Sequence, residues 1–435
     1  MSKFLKNQLM RALRVIASFT LRKFKPGVIG VTGSVGKTST KEAIGVVLRR
    51  LRRVRVSQGS LNSEVGLPLA IIGDWSAKDL ELVGKNTPAR TKRIRKAFFW
   101  TKVLMRGSYQ LVFTPQGKYP ELLVLEYGAD RPNDIRYLME IARPQIAVVT
   151  AVGKVPVHVE FYPNVEAVAR EKARLPEGLP TNGFAVLSAD DEVVAAMRER
   201  TRAHVLTFGF SDKAEVRVTN FEHRIHEGKP IGISFKLEYG GSFVPVRIDG
   251  SLGRAVASAA AAAAAIGIVF GMHLVRIAEA LAYFEPPRRR MRLVSAIRGA
   301  YLIDDSYNAS PLSMHVAIET VRQLPATRKI AVLGDMLEIG EYATGEHESV
   351  GREAAKVFDV IITVGSRAKF IADGARERGM VKRNVLSFET KDEAADELKG
   401  LIRRGDLVLI KASHAMRLDR VVDGLRQLPE QNSVD

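Results

Sequence analysis

From residue 27 onward, short apolar runs alternate with stretches in which apolar positions recur every three or four residues. The runs at 28–31, 122–125, 146–150 and 185–188 have strand length and almost no polar interruption, which predicts strands buried on both faces. Helical patterns between them predict an α/β fold with a mostly parallel sheet. Runs at 205–208, 216–218, 231–237 and 243–248 follow with no helix between them, as in a small antiparallel addition. The Ala-rich segment 255–270 predicts a tightly packed core helix. Pro286-Pro287 then breaks the pattern and makes a natural linker. Beyond it a second, Rossmann-like α/β series is expected, with strands at 301–303, 330–333, 360–364 and 407–410. The expected organisation is a basic amphipathic helix over 1–26, a nucleotide-binding domain over 27–286 and a C-terminal domain over 287–435. No repeat with a period of 20 to 50 residues interrupts it.

Residues 3–24 carry Leu5, Leu9, Leu13, Ile16 and Phe19 at helical spacing, with Lys3, Lys6, Arg11, Arg14, Arg22 and Lys23 around them and no acid. Charges at Lys6, Arg11 and Arg14 interrupt any signal-peptide core. A second basic stretch runs from Lys85 to Arg106 and includes Arg90, Lys92, Arg93, Arg95 and Lys96 before Phe98-Phe99-Trp100. Each reads either as a solvated helix packed on the body or as a face lying flat on an anionic membrane. No run approaches the ~20 apolar residues needed to span a bilayer. The expected location is cytoplasmic, with peripheral contact at the inner membrane face as the alternative.

Composition adds direction. Lys and Arg number 66 against 48 acidic residues, a formal charge of +18, so anionic partners are favoured. Nucleic acid is the less favoured of these, since no nucleic-acid module accompanies the charge. Cys is absent, which removes disulfides, thiolate metal sites and thiol nucleophiles.

The sharpest chemical signal is T-G-S-V-G-K-T-S-T at 32–40, directly after an apolar strand. Thr32, Gly33, Ser34, Val35, Gly36, Lys37, Thr38 and Ser39 form a phosphate-binding loop running into a helix. Its glycines let backbone N–H groups converge on phosphate oxygens, and the helix N-terminus adds its dipole. Lys37 reaches the β- and γ-phosphates in such loops, and the Thr38 hydroxyl ligates Mg²⁺. Val31 stands where the strict motif has glycine. Glu126 ends the apolar run 122–125, at a sheet edge where parallel sheets place ligands, and can hold Mg²⁺ opposite Thr38. His158 follows the next strand and reads either as structural or as a metal or phosphate ligand. Lys172 shares a helix face with Val165, Val168 and Ala169, behind an N-cap at Asn164. It either snorkels to water or loses its proton and takes up CO₂ as a carbamate.

Together these segments resemble the Mur ligases, ATP-dependent amide-forming enzymes of peptidoglycan synthesis. The likeness is greatest to the branch that adds D-alanyl-D-alanine to a UDP-N-acetylmuramoyl tripeptide. It spans about residues 27 to 425 and rests on the loop at 32–40, L-N-S-E-V-G-L-P-L (61–69), L-E-Y-G-A-D (125–130) and His158 with E-K-A-R-L (171–175). R-M-R-L (290–293), D-D-S-Y-N-A-S-P (304–311), G-D-M-L-E-I-G (334–340) and K-A-S (411–413) complete it. The resemblance implies ATP and two Mg²⁺ ions as cofactors, with Lys37, Lys172, His158 and Arg290 catalytic. It implies Thr38 and Glu126 at one metal, His158 and a carbamylated Lys172 at the other. Arg290, Asp305 and Asn308 fall where the C-terminal domain reaches the nucleotide, and Asn62, Lys411 and Ser413 at the substrates. The implied partners are a muramoyl-peptide carboxylate and D-Ala-D-Ala or a similar amine. The implied reaction activates the carboxylate as an acyl phosphate, which the amine then attacks. Rival readings are a polyglutamate-, folate- or cyanophycin-type amide ligase, and a non-catalytic nucleotide-binding protein tethered to a membrane. Retention of Glu126, His158 and Lys172 together favours catalysis.

Three departures stand out. Only about 26 residues precede the ATPase domain, where full-length members carry a domain that grips the UDP-sugar. Ala255-Val-Ala-Ser-Ala259 replaces the family's H-N-x-x-N, which predicts weaker hold on the nucleotide base. Ser310 replaces the usual asparagine before Pro311.

Overall fold

A computed structural model describes residues 3–82 and 92–427. Lys85 and Arg90 of the second basic stretch lie outside them. Two sheets organise the chain. The first has nine strands in the order β2-β3-β1-β4-β5-β6-β7-β8-β9: β1 (Gly27–Thr32), β2 (Val54–Val56), β3 (Leu122–Glu126), β4 (Ile146–Val149), β5 (Phe184–Ser188), β6 (His204–Gly209), β7 (Val216–His226), β8 (Lys229–Tyr239) and β9 (Ser242–Asp249). The second has six, in the order β10-β11-β15-β12-β13-β14: β10 (Arg292–Ser295), β11 (Tyr301–Asp304), β12 (Arg328–Gly334), β13 (Val360–Val364), β14 (Val385–Phe388) and β15 (Asp406–Lys411).

The first sheet is parallel from β2 through β7, and only β7-β8-β9 run antiparallel. The expected antiparallel addition is therefore one strand shorter than its sequence suggested. The run at 205–208 is β6, a parallel strand beside β5, and β7 takes up at its C-terminal end, with Phe208 opposite Val216. Three short strands, β2, β10 and β14, escape the hydrophobic pattern because each is a three- or four-residue edge or near-edge strand.

Alternation along β1 explains its unbroken apolar run. Ile29 and Val31 join a core with the Ala-rich helix Arg254–Val269, while Val28 joins a second core with the N-terminal helix Lys3–Phe24. That helix buries Leu13, Ala17, Thr20 and Phe24, whereas Leu5 and Phe19 of the expected apolar stripe point outward. Its inner face packs on helices Gly66–Ile72 and Lys92–Phe113. It is an integral layer of the first unit. Among the described residues no helix is long and apolar enough to cross a membrane.

Candidate active site

The phosphate loop sits at the C-terminal end of β1, between β3 on one side and β4 on the other. The chain reverses its direction of strand addition here, and a crevice opens at such switch points. Gly33 adopts φ +141, and a Cβ on it would meet Thr150 Oγ1, so only glycine fits. Gly36 at φ 89 caps the helix Lys37–Leu48. Thr150 donates to the Val35 carbonyl at 2.6 Å, and Ser34 N donates to the Ala151 carbonyl at 2.6 Å. Val35 N reaches the same carbonyl, so two loop amides are committed to β4's exit. The Thr32 hydroxyl donates to the Tyr127 carbonyl, tying the loop to the other flank. Ser39 is buried in the first turn of the helix.

Cationic and anionic groups are packed closely here. Lys37 folds back so that Nζ donates to the carbonyls of Gly33 at 2.8 Å and Ser34 at 3.4 Å. Burial holds its pKa below the ordinary lysine value against the opposing pull of Glu126. Glu126 closes β3 at 1 % exposure, its Oε2 3.0 Å from Lys41 Nζ. Asn62 Nδ2 donates to Oε1 at 3.1 Å, and the Thr38 hydroxyl donates to Oε2 at 3.4 Å. Burial alone pushes such a carboxyl up. Lys41 and Lys37, with Arg290, reverse that and leave it below the ordinary carboxylate value.

The second sheet's unit contributes directly. Arg290 Nη2 donates to Thr38 Oγ1 at 2.9 Å, and its guanidinium lies 4.1 Å above the Tyr307 ring. The Tyr307 hydroxyl in turn hydrogen-bonds Ser60 of the first unit. Asp305 accepts from Met291 N at 3.1 Å and pairs with the buried Lys411 at 2.6 Å, which also donates to the Asn308 carbonyl. Ser413 accepts from Leu337 N at 2.9 Å. Asn308's side chain is exposed. Ser310 N-caps the helix Pro311–Arg322 in a reciprocal pair with Ser313. Its hydroxyl therefore does the work an asparagine would do there.

A second corner lies along the same edge. His158, at φ 67, has Nε2 3.4 Å from Asp130 and Nδ1 2.8 Å from Glu338, itself at φ 63 in the other unit. Two left-handed residues other than glycine thus face each other across the boundary between the units. Lys172, on the helix Val165–Glu177, is 2 % exposed and makes no hydrogen bond or ion pair among the described residues. Burial, reinforced by the Lys37 charge, brings its amine down to about 7. The expected N-cap, Asn164, accepts from Ala167 N at 2.9 Å. Among the described residues no three His, Asp or Glu side chains gather as a ready-made metal cage.

Thus Lys37, Thr38, Glu126, Asn62 and Arg290 come together, and Asp305, Asn308 and Lys411 form the platform behind Arg290. No hydrogen bond joins Lys172 to His158, whose imidazole lies between two carboxylates. Lys41, Tyr307 and Ser60 were missed, as were the roles of Asp130 and Glu338. Lys41 had a signal, since four residues beyond Lys37 is one helical turn, on the same face as the loop lysine. The segment 255–259, where a base-reading asparagine was expected, lies mostly buried in the Ala-rich helix, with Arg254 stacked on Phe210.

A P-loop whose hydroxyl is gripped by an arginine from a second α/β unit defines a nucleotide-dependent enzyme that works between two lobes. The Mur ligase middle domain profile matches residues 107–267, and the Mur ligase glutamate ligase domain profile matches 289–414. The UDP-N-acetylmuramoyl-tripeptide--D-alanyl-D-alanine ligase of Mycobacterium tuberculosis is 32 % identical over 92 % of this chain and 72 % of its own length. The Bacillus subtilis enzyme of the same name is 28 % identical over 97 % of this chain and 80 % of its own. Among solved structures, the MurF ligase of Thermotoga maritima in complex with ADP superimposes with a TM-score of 0.75 at 26 % identity, covering 95 % of this chain and 82 % of that one. The chain belongs to the Mur ligase family, and it is an ATP-dependent, ADP-forming ligase.

Proposed function

We propose that the chain joins D-alanyl-D-alanine to the terminal carboxylate of a UDP-N-acetylmuramoyl-tripeptide, the reaction named for its relatives. The observation that carries this reading is the Thr38–Glu126–Arg290 cluster, built from both lobes around the phosphate loop. The domain built on the first sheet holds the nucleotide, and the domain built on the second closes over it. The loop 32–39 and Lys37 take the phosphates, for which Lys37 gives up its hold on the loop carbonyls. Arg290 adds a fixed cation, stacked on Tyr307 and backed by Asp305 and Lys411. Ser413 and Lys411 border the space left for the amine, Asn308 borders the nucleotide, and Asn62 keeps Glu126 oriented.

The substrate carboxylate attacks the γ-phosphorus, the bond to the β-phosphate oxygen breaks, and ADP leaves. The amine then attacks the acyl carbon, phosphate departs, and the amine's proton is lost to solvent or phosphate. Anions meet at both stages, so prearranged cations lower both barriers. The Thr38 hydroxyl and Glu126 carboxylate are hard oxygen donors side by side, which fits magnesium. When bound, magnesium neutralises phosphate charge there. Lys172 itself becomes a carboxylate ligand only by modification: its neutral Nζ adds to CO₂, forming an N–C bond and releasing one proton. A carbamate there would, with His158, hold a second ion.

The decisive experiment supplies purified protein with ATP, magnesium, UDP-N-acetylmuramoyl-tripeptide and D-alanyl-D-alanine. Phosphate release is followed together with the mass of the peptide product. Amide product dependent on both substrates is expected. ATP turnover that instead answers to glutamate with a polyglutamate or folate acceptor would overturn the reading.

A further inference from the structure

Apolar residues that the fold leaves uncovered are not scattered. Of the seventeen large hydrophobic side chains that are exposed among the described residues, nine lie on the two helices Lys3–Phe24 and Lys92–Phe113. On the second, Ile94, Phe98, Met105, Tyr109 and Val112 follow at steps of four, seven, four and three residues, so they form one stripe. The inner face of that helix is already satisfied by Phe99, Trp100 and Val103. Val15 and Phe19 project from the neighbouring helix. The two helices run side by side in the same direction. Ile16 abuts Gly107, and Lys23 Nζ donates to the carbonyls of Leu111 and Thr114 at 2.8 and 2.9 Å.

Charge decides what such a surface suits. The two helices contain twelve Lys and Arg and no Asp or Glu. Arg95 and Lys96 lie close to the stripe without a carboxylate partner among the described residues, and Arg22 lies over the Phe19 ring. We propose that the outer faces of these two helices form a docking surface for an anionic lipid bilayer. Apolar side chains enter the headgroup boundary while the flanking cations stay among lipid phosphates. An uncharged protein partner would not need so one-sided a charge, a second copy of this surface would be repelled by it, and the long apolar stripe between the cations suits the headgroup boundary of a bilayer. This inference is independent of the substrate assignment.

The test is flotation of the full chain with phosphatidylcholine vesicles containing phosphatidylglycerol, and with phosphatidylcholine alone. Binding to the anionic vesicles only, weakened by high salt, is expected. Met105→Glu with Tyr109→Glu should lower the bound fraction about tenfold or more, with the melting temperature and ATP turnover unchanged. Arg95→Glu with Lys96→Glu should do the same, and Val15→Ser with Phe19→Ser gives a milder pair should the first lose stability. Deleting the first helix is the wrong variant, because Leu13, Ala17 and Phe24 are core. Equal binding to neutral vesicles, or unaltered binding by all three pairs, would overturn the proposal. So would a dimer in sedimentation that Met105→Glu dissociates while the vesicles stay bare.

Discussion

Two buried lysines in one lobe have opposite surroundings. Lys41 is fully buried but lies 3.0 Å from Glu126, with Ser57 and the Gly59 carbonyl accepting its other protons. Lys172 is equally enclosed, yet its nearest acids are engaged elsewhere. Glu171 accepts from Ile135 N and pairs with Arg174, while Asp130 faces His158. The first lysine fixes a carboxylate. The second is brought close to neutrality and left with an available lone pair. Burial by itself therefore distinguishes neither role. Partners do.

The contrast can be broken in order of expected effect. Lys41→Met strips the buried Glu126 of its ion-pair partner, which should cost about 3–5 kcal/mol in urea unfolding. A loss below about 1 kcal/mol would mean the pair is not structural. Lys172→Met should lower ligation on the order of 10²–10³-fold while nucleotide affinity, read by calorimetry, stays near wild type. Full activity would remove the carbamate. Arg290→Lys keeps the charge but loses the planar stack on Tyr307, and should raise the KM for ATP about tenfold, or ~1–2 kcal/mol. The last effect is spread over pH as a slope. The Lys172 amine is held near 7 when folded against 10.5 in the ordinary case, so between those values the unfolded chain binds the extra proton. Stability should then rise with pH across that window, by at most about 1.4 kcal/mol per pH unit, and Lys172→Met should flatten it. Urea melts in buffers spanning neutral to mildly alkaline pH read this directly. An unchanged slope in the variant would place the titration elsewhere.

Much of the architecture was legible because parallel strands buried on both faces leave unbroken apolar runs, as in β1, β3, β4 and β13. The loop was legible because its glycines are demanded by geometry, Gly33 against Thr150 above all. What escaped is what depends on contacts between distant segments. Nothing local marks β10, whose partners are β11 and single bridges from Ser251. The Lys3–Phe24 helix is where its spacing puts it, but the apolar stripe read from that spacing is split: Leu13 is buried with Ala17 and Phe24, while Leu5 and Phe19 are exposed. Likewise the partners of His158 come from residues 130 and 338, a pairing no periodicity encodes.

The Thr38 hydroxyl has one proton to give, and it points at Glu126 while an arginine from the far lobe occupies one of its two lone pairs. A divalent ion arriving at that oxygen takes the second lone pair, beside the guanidinium. Filling the loop and setting the far lobe therefore meet at one oxygen, and a fluorophore on the Pro286-Pro287 linker would report magnesium nucleotide as a change of angle before any bond is made.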